Sequence, residues 1–183
     1  MSRTSIAPRL LVAMPQMEDS NFARSVVLLC REEDDGAMGL VVNRCSDAAV
    51  SSVVDFDPPL ASDNGARVWT GGPVEPHRGW LLLGYDPGSE DALEVCDGVY
   101  LSASMTVLRS MVEERAHPTS RFLLGYAGWG RGQLESELAA SAWLCADPHP
   151  DLLFHTPAEA MWESAIRSLG VDPFTLQAGG GVH

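Results

Sequence analysis

The order of the predicted elements places this chain in the α+β class, as one domain built on a mixed, mostly antiparallel β-sheet flanked by helices. Hairpin signals dominate the first half of the sequence, and helices are predicted mainly in the second half. That order differs from the alternating strands and helices of a parallel sheet. A length of 183 residues suits one domain of ordinary size. We therefore treat residues 1–183 as a single domain.

Apolar runs bounded by turn residues predict the strands in order along the chain. The segment 9–13 is stopped by Pro15, and the runs 25–31 and 37–43 flank an acidic turn, so these two runs are expected to form a hairpin. A second hairpin is expected around the Asp-Gly dipeptide at 97–98, which suits a type I′ turn. The remaining strands are expected at residues 67–70, 80–84, 93–95, 99–101, 121–126 and 143–146.

Capping residues and one-sided apolar patterns predict the helices. Thr156 is followed by Pro157 and then by Glu159, a combination that favours a helix start, and Gly170 suits the end of that helix. Helices are expected at residues 47–56, from Ser102 or Ser104 to about 114, at 134–140 and at 156–169. The glycine-rich segment 176–183 is expected to form a flexible tail.

The charge composition excludes several functional classes. The chain carries 12 basic and 25 acidic side chains, for a net charge of −13, and every basic side chain is arginine. Without lysine there can be neither a Schiff-base lysine nor a P-loop lysine. The acidic balance argues against direct nucleic-acid binding, which needs a basic face, and against binding to anionic membranes.

The cysteines and the apolar runs indicate the compartment. Four cysteines occur, at positions 30, 45, 96 and 145, and none stands in a C-x-x-C spacing, so buried thiols are expected rather than a zinc or redox motif. The first apolar run is too short for a signal peptide, and no stretch approaches a membrane span. We expect a cytoplasmic protein that needs no cofactor.

Two glycine-rich segments are the most distinctive feature of the sequence. The first, Gly71-Gly72-Pro73-Val74, permits a backbone path that exposes N–H groups and could bind a small anion; the alternative is a purely conformational connection. The second, residues 125–133, has the order strand, glycines, helix that also occurs at nucleotide sites. Its G-x-G-x-G spacing and the following Glu135 and Glu137 argue against a phosphate there.

We expect these two segments to meet in space around a ligand, with Trp129 between them. A shared site requires Gly72 and Gly128 to lie within about 15 Å of each other. The candidate ligand-binding residues are Asn43, Gly71, Gly72, Pro73, Arg78, Tyr126, Gly128, Trp129, Gly130, Gln133 and Glu135.

No recognisable catalytic motif accompanies these residues. The sequence has neither G-x-S-x-G nor H-E-x-x-H, so an enzyme would have to use the adjacent pair His77 and Arg78 or the pair Glu135 and Glu137. The acidic and histidine residues between 147 and 155 are interleaved with prolines, which favours a polar loop over a metal site.

The ordered motifs resemble the AlgH/YqgE family of bacterial proteins from residue 10 to about 173. They are Ala13-Met14-Pro15 with Asp19 and Phe22, residues 35–43, Gly71-Gly72-Pro73-Val74, Arg78-Gly79, residues 125–130, Gly132-Gln133-Leu134-Glu135 with Glu137, Ala142-Trp143-Leu144, Leu153-Phe154, Thr156-Pro157, Trp162 and Leu169-Gly170. The resemblance implies an α+β domain with a mixed sheet flanked by helices. The family name implies a regulatory role in exopolysaccharide expression. Arg44-Cys45 departs from the basic residue and proline expected there, and residues 46–64 and 87–97 fit only loosely.

Three functions remain open from the sequence. The favoured one is a binding or regulatory module for a small molecule or a protein partner. The alternative is an enzyme of hydrolase or transferase type that uses residues around the two glycine segments. A transcriptional regulator that binds DNA directly comes third, since no helix-turn-helix is visible and the charge is unfavourable. The sequence makes no prediction about the oligomeric state.

Overall fold

The structure, a computed structural model, describes residues 4–179. Within that range the strands are β1 (Arg9–Ala13), β2 (Val26–Glu33), β3 (Gly36–Val41), β4 (Cys45–Ala49), β5 (Arg67–Thr70), β6 (Val74–Leu83), β7 (Leu93–Cys96), β8 (Val99–Ser102), β9 (Ser120–Gly130) and β10 (Trp143–Ala146). The helices are α1 (Val50–Val53), α2 (Met105–Glu113), α3 (Gln133–Ala139), α4 (Pro150–His155), α5 (Ala158–Arg167) and α6 (Pro173–Gly179).

The strands form a curled sheet in the order β10-β1-β2-β3-β9-β6-β8-β7, with β4 and β5 joined to it through β9. Neighbouring strands pair antiparallel except β5 and β9, which are parallel. The predicted α+β class with a mixed, mostly antiparallel sheet is therefore confirmed. Both predicted hairpins, β2–β3 and β7–β8, are present.

Strand β9 organises the sheet because it pairs with three other strands. Its first half lies between β5 and β6, and its second half pairs with β3. The glycines at its carboxyl end were expected to form a loop, but the strand continues through them to Gly130. Cross-strand hydrogen bonds to β3 compensate for the poor intrinsic β-propensity of glycine.

The central strands are buried on both faces, which explains their continuous apolar sequences. Alternate residues of β1 and β2 enter two different clusters: Leu10 and Leu28 face α5, whereas Leu11 and Val27 pack in the cluster that contains Leu134 of α3. On the first face the indole of Trp162 donates a 2.8 Å hydrogen bond to the carbonyl oxygen of Ala13, which anchors α5. A third cluster lies beneath α2.

The helix predicted over residues 47–56 is wrong. This segment instead forms β4, which pairs with β5, and then the single turn α1. Ser46 donates a 2.8 Å hydrogen bond to the carbonyl oxygen of Val68, so its side chain reinforces the strand pairing. Tertiary pairing has therefore overridden the local capping signal at Asp47.

Two short helices occur where the sequence predicted loops or a tail. α4 begins at Pro150, where the missing N–H of proline costs nothing, and the His149 ring accepts a hydrogen bond from the Asp151 N–H. Residues 176–179 belong to α6, and residues 180–183 of the predicted tail lie outside the described residues. No helix within residues 4–179 is long and apolar enough to cross a membrane.

Candidate ligand pocket

The two glycine-rich segments interlock at the middle of β9. The N–H of Gly71 donates a 2.8 Å hydrogen bond to the carbonyl oxygen of Leu124, and the carbonyl oxygen of Gly71 accepts one from Val41. A Cβ on Gly72 would overlap the backbone of Tyr126, and a Cβ on Gly125 would overlap the backbone of Gly72. Side chains are excluded at these positions because two backbones cross in direct contact.

Gly72 and Gly128 satisfy the distance that a shared site requires. Gly72 contacts the backbone of Tyr126, two residues from Gly128, and the side chain of Val74 faces Gly128 directly. The expected meeting of the two segments is thus what the structure contains.

Beside this interlock a pocket of about 500 Å³ opens on the face of the sheet. We call it the β3–β9 pocket; it is bounded by the β2–β3 hairpin, β6, β9 and the β7–β8 hairpin. Its lining residues are Cys30, Arg31, Glu33, Asp35, Gly36, Ala37, Met38, Val74, Arg78, Trp80, Leu93, Leu101, Tyr126, Gly128 and Trp129.

Two aromatic rings and a guanidinium form one wall of the pocket. Trp80 and Tyr126 pack edge to face, with ring centres 6.2 Å apart, and the guanidinium carbon of Arg78 lies 4.4 Å from the centre of the Trp80 ring. Stacking on an aromatic face holds the Arg78 side chain against this wall while it stays half exposed.

Glu75 joins Arg78 to Tyr126. Its carboxylate lies 3.3 Å from the Arg78 guanidinium, and a hydrogen bond from the Tyr126 hydroxyl to the same carboxylate raises the pKa of Tyr126. Glu75 has a backbone φ of +43°, which is rare for a residue other than glycine, and it lies where the pairing of β6 with β9 shifts register. Bulges of this kind often redirect side chains beside functional sites.

The opposite wall is the tip of the β2–β3 hairpin. Arg31 and Glu33 lie 3.9 Å apart, and Asp35 follows at the turn. The pocket lining therefore contains two arginines and two carboxylates, a balanced charge that contrasts with the strongly acidic molecule as a whole.

Cys30 is the one cysteine among the lining residues of the pocket. Burial raises its pKa from 9.0 to about 12, with a further contribution from Cys96 that Arg31 only partly offsets. At neutral pH the thiol remains protonated and packs as a small apolar group.

Gly128 forms the floor of the pocket. It is exposed and pairs across the sheet with Met38. Its φ lies outside the positive region, and a Cβ built there would meet the Tyr126 ring and Val74 at 3.6 Å, an ordinary contact distance. The added atom would project into the pocket, between two of its lining side chains.

The indole of Trp129 does not lie between the two glycine segments, contrary to the prediction, although Trp129 is among the lining residues and its carbonyl oxygen lies against Gly36. Its indole is on the opposite face of β9, packed against Phe22 and Trp143. The Glu137 carboxylate accepts hydrogen bonds from Trp129 at 2.7 Å and from Trp143 at 3.0 Å. Successive strand residues point to opposite faces, so Tyr126 and Gly128 face the pocket while Trp129 faces away.

Other candidates stabilise the backbone or lie apart from the pocket. The Asn43 side chain accepts from the Val26 N–H and donates to the carbonyl oxygen of Arg24, both at 3.0 Å. Gln133 accepts from the Gly130 N–H at 3.0 Å and donates to Glu137. Outside the pocket lining are Asn43, Gly71, Gly72, Pro73, Gly130, Gln133 and Glu135.

His77 and Arg78 do not act as a pair, because adjacent residues of β6 face different pockets. His77 lies in a second pocket of about 430 Å³ whose wall is largely apolar. Its lining residues are Val53, Val54, Asp55, His77, Gly79, Trp80, Leu81, Ala103, Ser104, Met105, Leu108, Phe122 and Leu124.

The acidic and histidine residues between 147 and 155 do not converge. Asp147 pairs with Arg9, and the His149 ring is engaged with Asp151. Within residues 4–179 no group of three or more histidine, cysteine or acidic side chains could hold a metal ion.

Sequence reasoning missed much of the pocket wall. Arg31, Glu33 and Asp35 were assigned to a strand end and a solvated turn, and Trp80 to a core strand. The pairing of Met38 with Gly128 would have revealed them, since it brings the β2–β3 hairpin beside the second glycine segment.

Comparison with known proteins agrees with this architecture. A family model described as AlgH-like matches residues 10–174. The chain belongs to the AlgH-like family. It is 41% identical over 177 residues to a UPF0301 protein of Ruegeria pomeroyi, which covers 94% of this chain and 96% of that protein. It is 39% identical over 176 residues to a UPF0301 protein of Stenotrophomonas maltophilia, with 94% of each covered.

Solved structures in the comparison share the AlgH-like fold. The solution structure of the AlgH protein of Pseudomonas aeruginosa superposes with a TM-score of 0.77 at 35% identity and covers 100% of both chains. A crystal structure from Corynebacterium diphtheriae gives a TM-score of 0.73 at 23% identity, over 92% of this chain and 90% of that one, and shows the fold alone.

Proposed function

We propose that this AlgH-like protein is a binding module whose small-molecule ligand occupies the β3–β9 pocket. One observation carries the proposal: Val74 from the first glycine segment and Tyr126 and Gly128 from the second line a single pocket, with Arg78 of β6 beside them. Its volume, about 500 Å³, lies within the range of small-molecule sites. Apolar side chains with a few convergent polar groups are also typical of such sites.

The lining residues favour binding over chemistry. A hydrolase or transferase needs a nucleophile activated by a base. Cys30 is held as a protonated thiol, His77 faces the other pocket, and Glu137 is engaged by two indoles. The net charge of −13 gives direct DNA binding less support still. A regulatory role would then follow from ligand binding. The four free cysteines are typical of a protein of the reducing cytoplasm, where we place this activity.

A fragment screen followed by amide NMR tests the proposal. Ligands of the pocket are expected to shift the amide signals of Gly36, Ala37 and Gly128, and to leave that of Met105, in the second pocket, unchanged. If fragments of every chemical class leave the three pocket amides unmoved, the proposed site is wrong.

A matched pair of arginine variants tests the role of the wall. Arg78→Ala is expected to weaken binding of the pocket fragments about tenfold, because a charged hydrogen-bonding group is lost. Arg167→Ala is the control, since Arg167 makes a comparable exposed pair with Glu163 at 3.4 Å. Equal affinities for both variants would contradict a ligand contact at Arg78.

A further inference from the structure

Gly128 is a glycine that the protein fold does not require. Resting on the proposed function of the β3–β9 pocket, we propose that its ligand carries a planar ring that lies directly on the backbone of Gly128. The ring is flanked by Tyr126 and Val74, the two side chains nearest to the place a Cβ would take.

The neighbouring glycines show what a structural requirement looks like. Gly36, Gly72 and Gly125 have positive φ values, and a Cβ on each would overlap a crossing backbone. A Cβ on Gly71 would likewise overlap the carbonyl group of Gly125. The backbone packing of the protein therefore requires glycine at each of these positions.

Gly128 meets neither condition, and neither does Gly130, but only Gly128 of these two lines the pocket. Its φ is outside the positive region, and the nearest atoms to a Cβ would stand at 3.6 Å. Glycine inside a strand is unfavourable, because the backbone loses more freedom and no side chain packs. A glycine kept at such a position often marks the close approach of another group. Here that group enters from the pocket, the side to which the missing Cβ would point.

The surroundings of Gly128 fit a flat ring. The floor is bare backbone at Gly128 and continues to Gly36 at the hairpin end of β3, which also lacks a side chain. Met38, the cross-strand partner of Gly128, supplies a polarisable thioether, a group that makes favourable contacts with aromatic rings. Tyr126 stands beside the floor, and its edge-to-face contact with Trp80 fixes the orientation of its ring. Tyr126 and Val74 both come within 3.6 Å of the place a Cβ would take on Gly128. The space between them suits the thickness of a planar ring whose edge rests on Gly128, and it is too narrow for a puckered saturated ring.

A pair of neutral probes isolates the shape of the ring from its charge. Benzamide and cyclohexanecarboxamide carry the same amide, and only the first is planar. In titrations of the full chain followed by amide NMR, benzamide is expected to shift Gly36, Ala37 and Gly128 and to bind at least about fivefold more tightly than cyclohexanecarboxamide.

Two glycine variants test the position of the ring. Gly128→Ala is expected to keep the melting temperature and to weaken benzamide binding at least about tenfold, because the added methyl group occupies the floor. Gly130→Ala is the matched control: it lies on the same strand, its φ is also outside the positive region, and it does not line the pocket. It is expected to bind benzamide as the unsubstituted chain does.

The outcomes separate this inference from the proposed function. Equal binding of the two probes, or unchanged benzamide binding in Gly128→Ala, overturns the planar ring on Gly128 while leaving a ligand pocket in place. Loss of all fragment binding at the pocket amides overturns both.

Discussion

Gly125 and Gly128 lie three residues apart on β9, and glycine occupies the two positions for different reasons. At the interlock, Gly125 lies against Gly72 so closely that neither can carry a side chain, and Gly125 has a φ of +78°. At the pocket floor, Gly128 has an ordinary backbone and room for a methyl group. In the sequence both belong to one glycine-rich run, so this motif combines a requirement of folding at Gly125 with a surface at Gly128 that we propose is kept clear for a ligand.

The largest expected effect comes from breaking the interlock. Gly72→Ala should lower the free energy of unfolding by more than about 3 kcal/mol, because two backbones must separate and the φ of Gly72 is unfavourable for alanine. Gly88→Ala is the control, since Gly88 has a φ of +72° and nothing within 4 Å of a Cβ. It should lose only about 1–2 kcal/mol. Urea denaturation measures both, and equal losses would mean that the crossing contributes nothing beyond φ.

The next effect concerns the face of β9 that turns away from the pocket. Glu137→Ala should cost about 2–4 kcal/mol, because the Trp129 and Trp143 indole N–H groups lose their shared acceptor inside the protein. Glu137→Gln should cost less, since the amide oxygen still accepts. Glu163→Ala, which removes a partly exposed ion pair, should change stability by at most about 0.5 kcal/mol. Full stability of Glu137→Ala would contradict a shared acceptor for the two indoles.

The pocket wall makes a prediction about pH. The folded-state pKa of Cys30 is about 12 against 9.0 in the unfolded chain, so folding favours the protonated thiol. Its contribution to stability is therefore present below pH 9 and is lost as the pH rises toward 12. The free energy of unfolding, measured by urea titration from pH 8 to about 10.5, should fall less steeply in Cys30→Ala than in the unsubstituted chain. If the free energy of unfolding falls equally steeply with pH in both proteins, the Cys30 thiol is not buried as described.

The smallest expected effect on stability is at the pocket floor. Gly128→Ala should change the free energy of unfolding by no more than about 0.5 kcal/mol, in either direction, because the methyl group meets only ordinary contacts. Thermal and urea denaturation provide the measurement. A loss comparable to that of Gly72→Ala would show that Gly128 also belongs to the interlock, and the contrast between the two places would disappear.

Local patterns in the sequence predicted the elements that depend on neighbours along the chain. The β2–β3 hairpin follows from two apolar runs and an acidic turn, and Ser104 caps α2 by accepting from the Val107 N–H. The helix expected at residues 47–56 was wrong because β5, the partner of β4, lies across a long connection. The sequence predicts β9 only over residues 121–126, because glycine is locally unfavourable in a strand. Pairing with β3 extends the strand to Gly130.

The candidate site was predictable in part for the same reason. The interlock was expected, because paired glycines before a proline indicate an exceptional backbone path. The face on which each side chain lies was not predicted. Alternate residues of a strand point to opposite faces, so Tyr126 and Gly128 are separated from Trp129 once β9 is known to reach Gly130. Arg31 and Asp35 enter the pocket only through the register of β3 with β9, which is a property of the folded chain.

The central position of β9 has a consequence for how the protein is made. β3, β5 and β6 precede β9 in the chain, yet all three pair with it. A ribosome must therefore release residues 36–83 before their common partner at 120–130 has emerged. Contacts so distant in sequence close slowly, and the waiting strands expose unpaired edges on the nascent chain. Those edges are covered only when β9 has been synthesised and has paired with them.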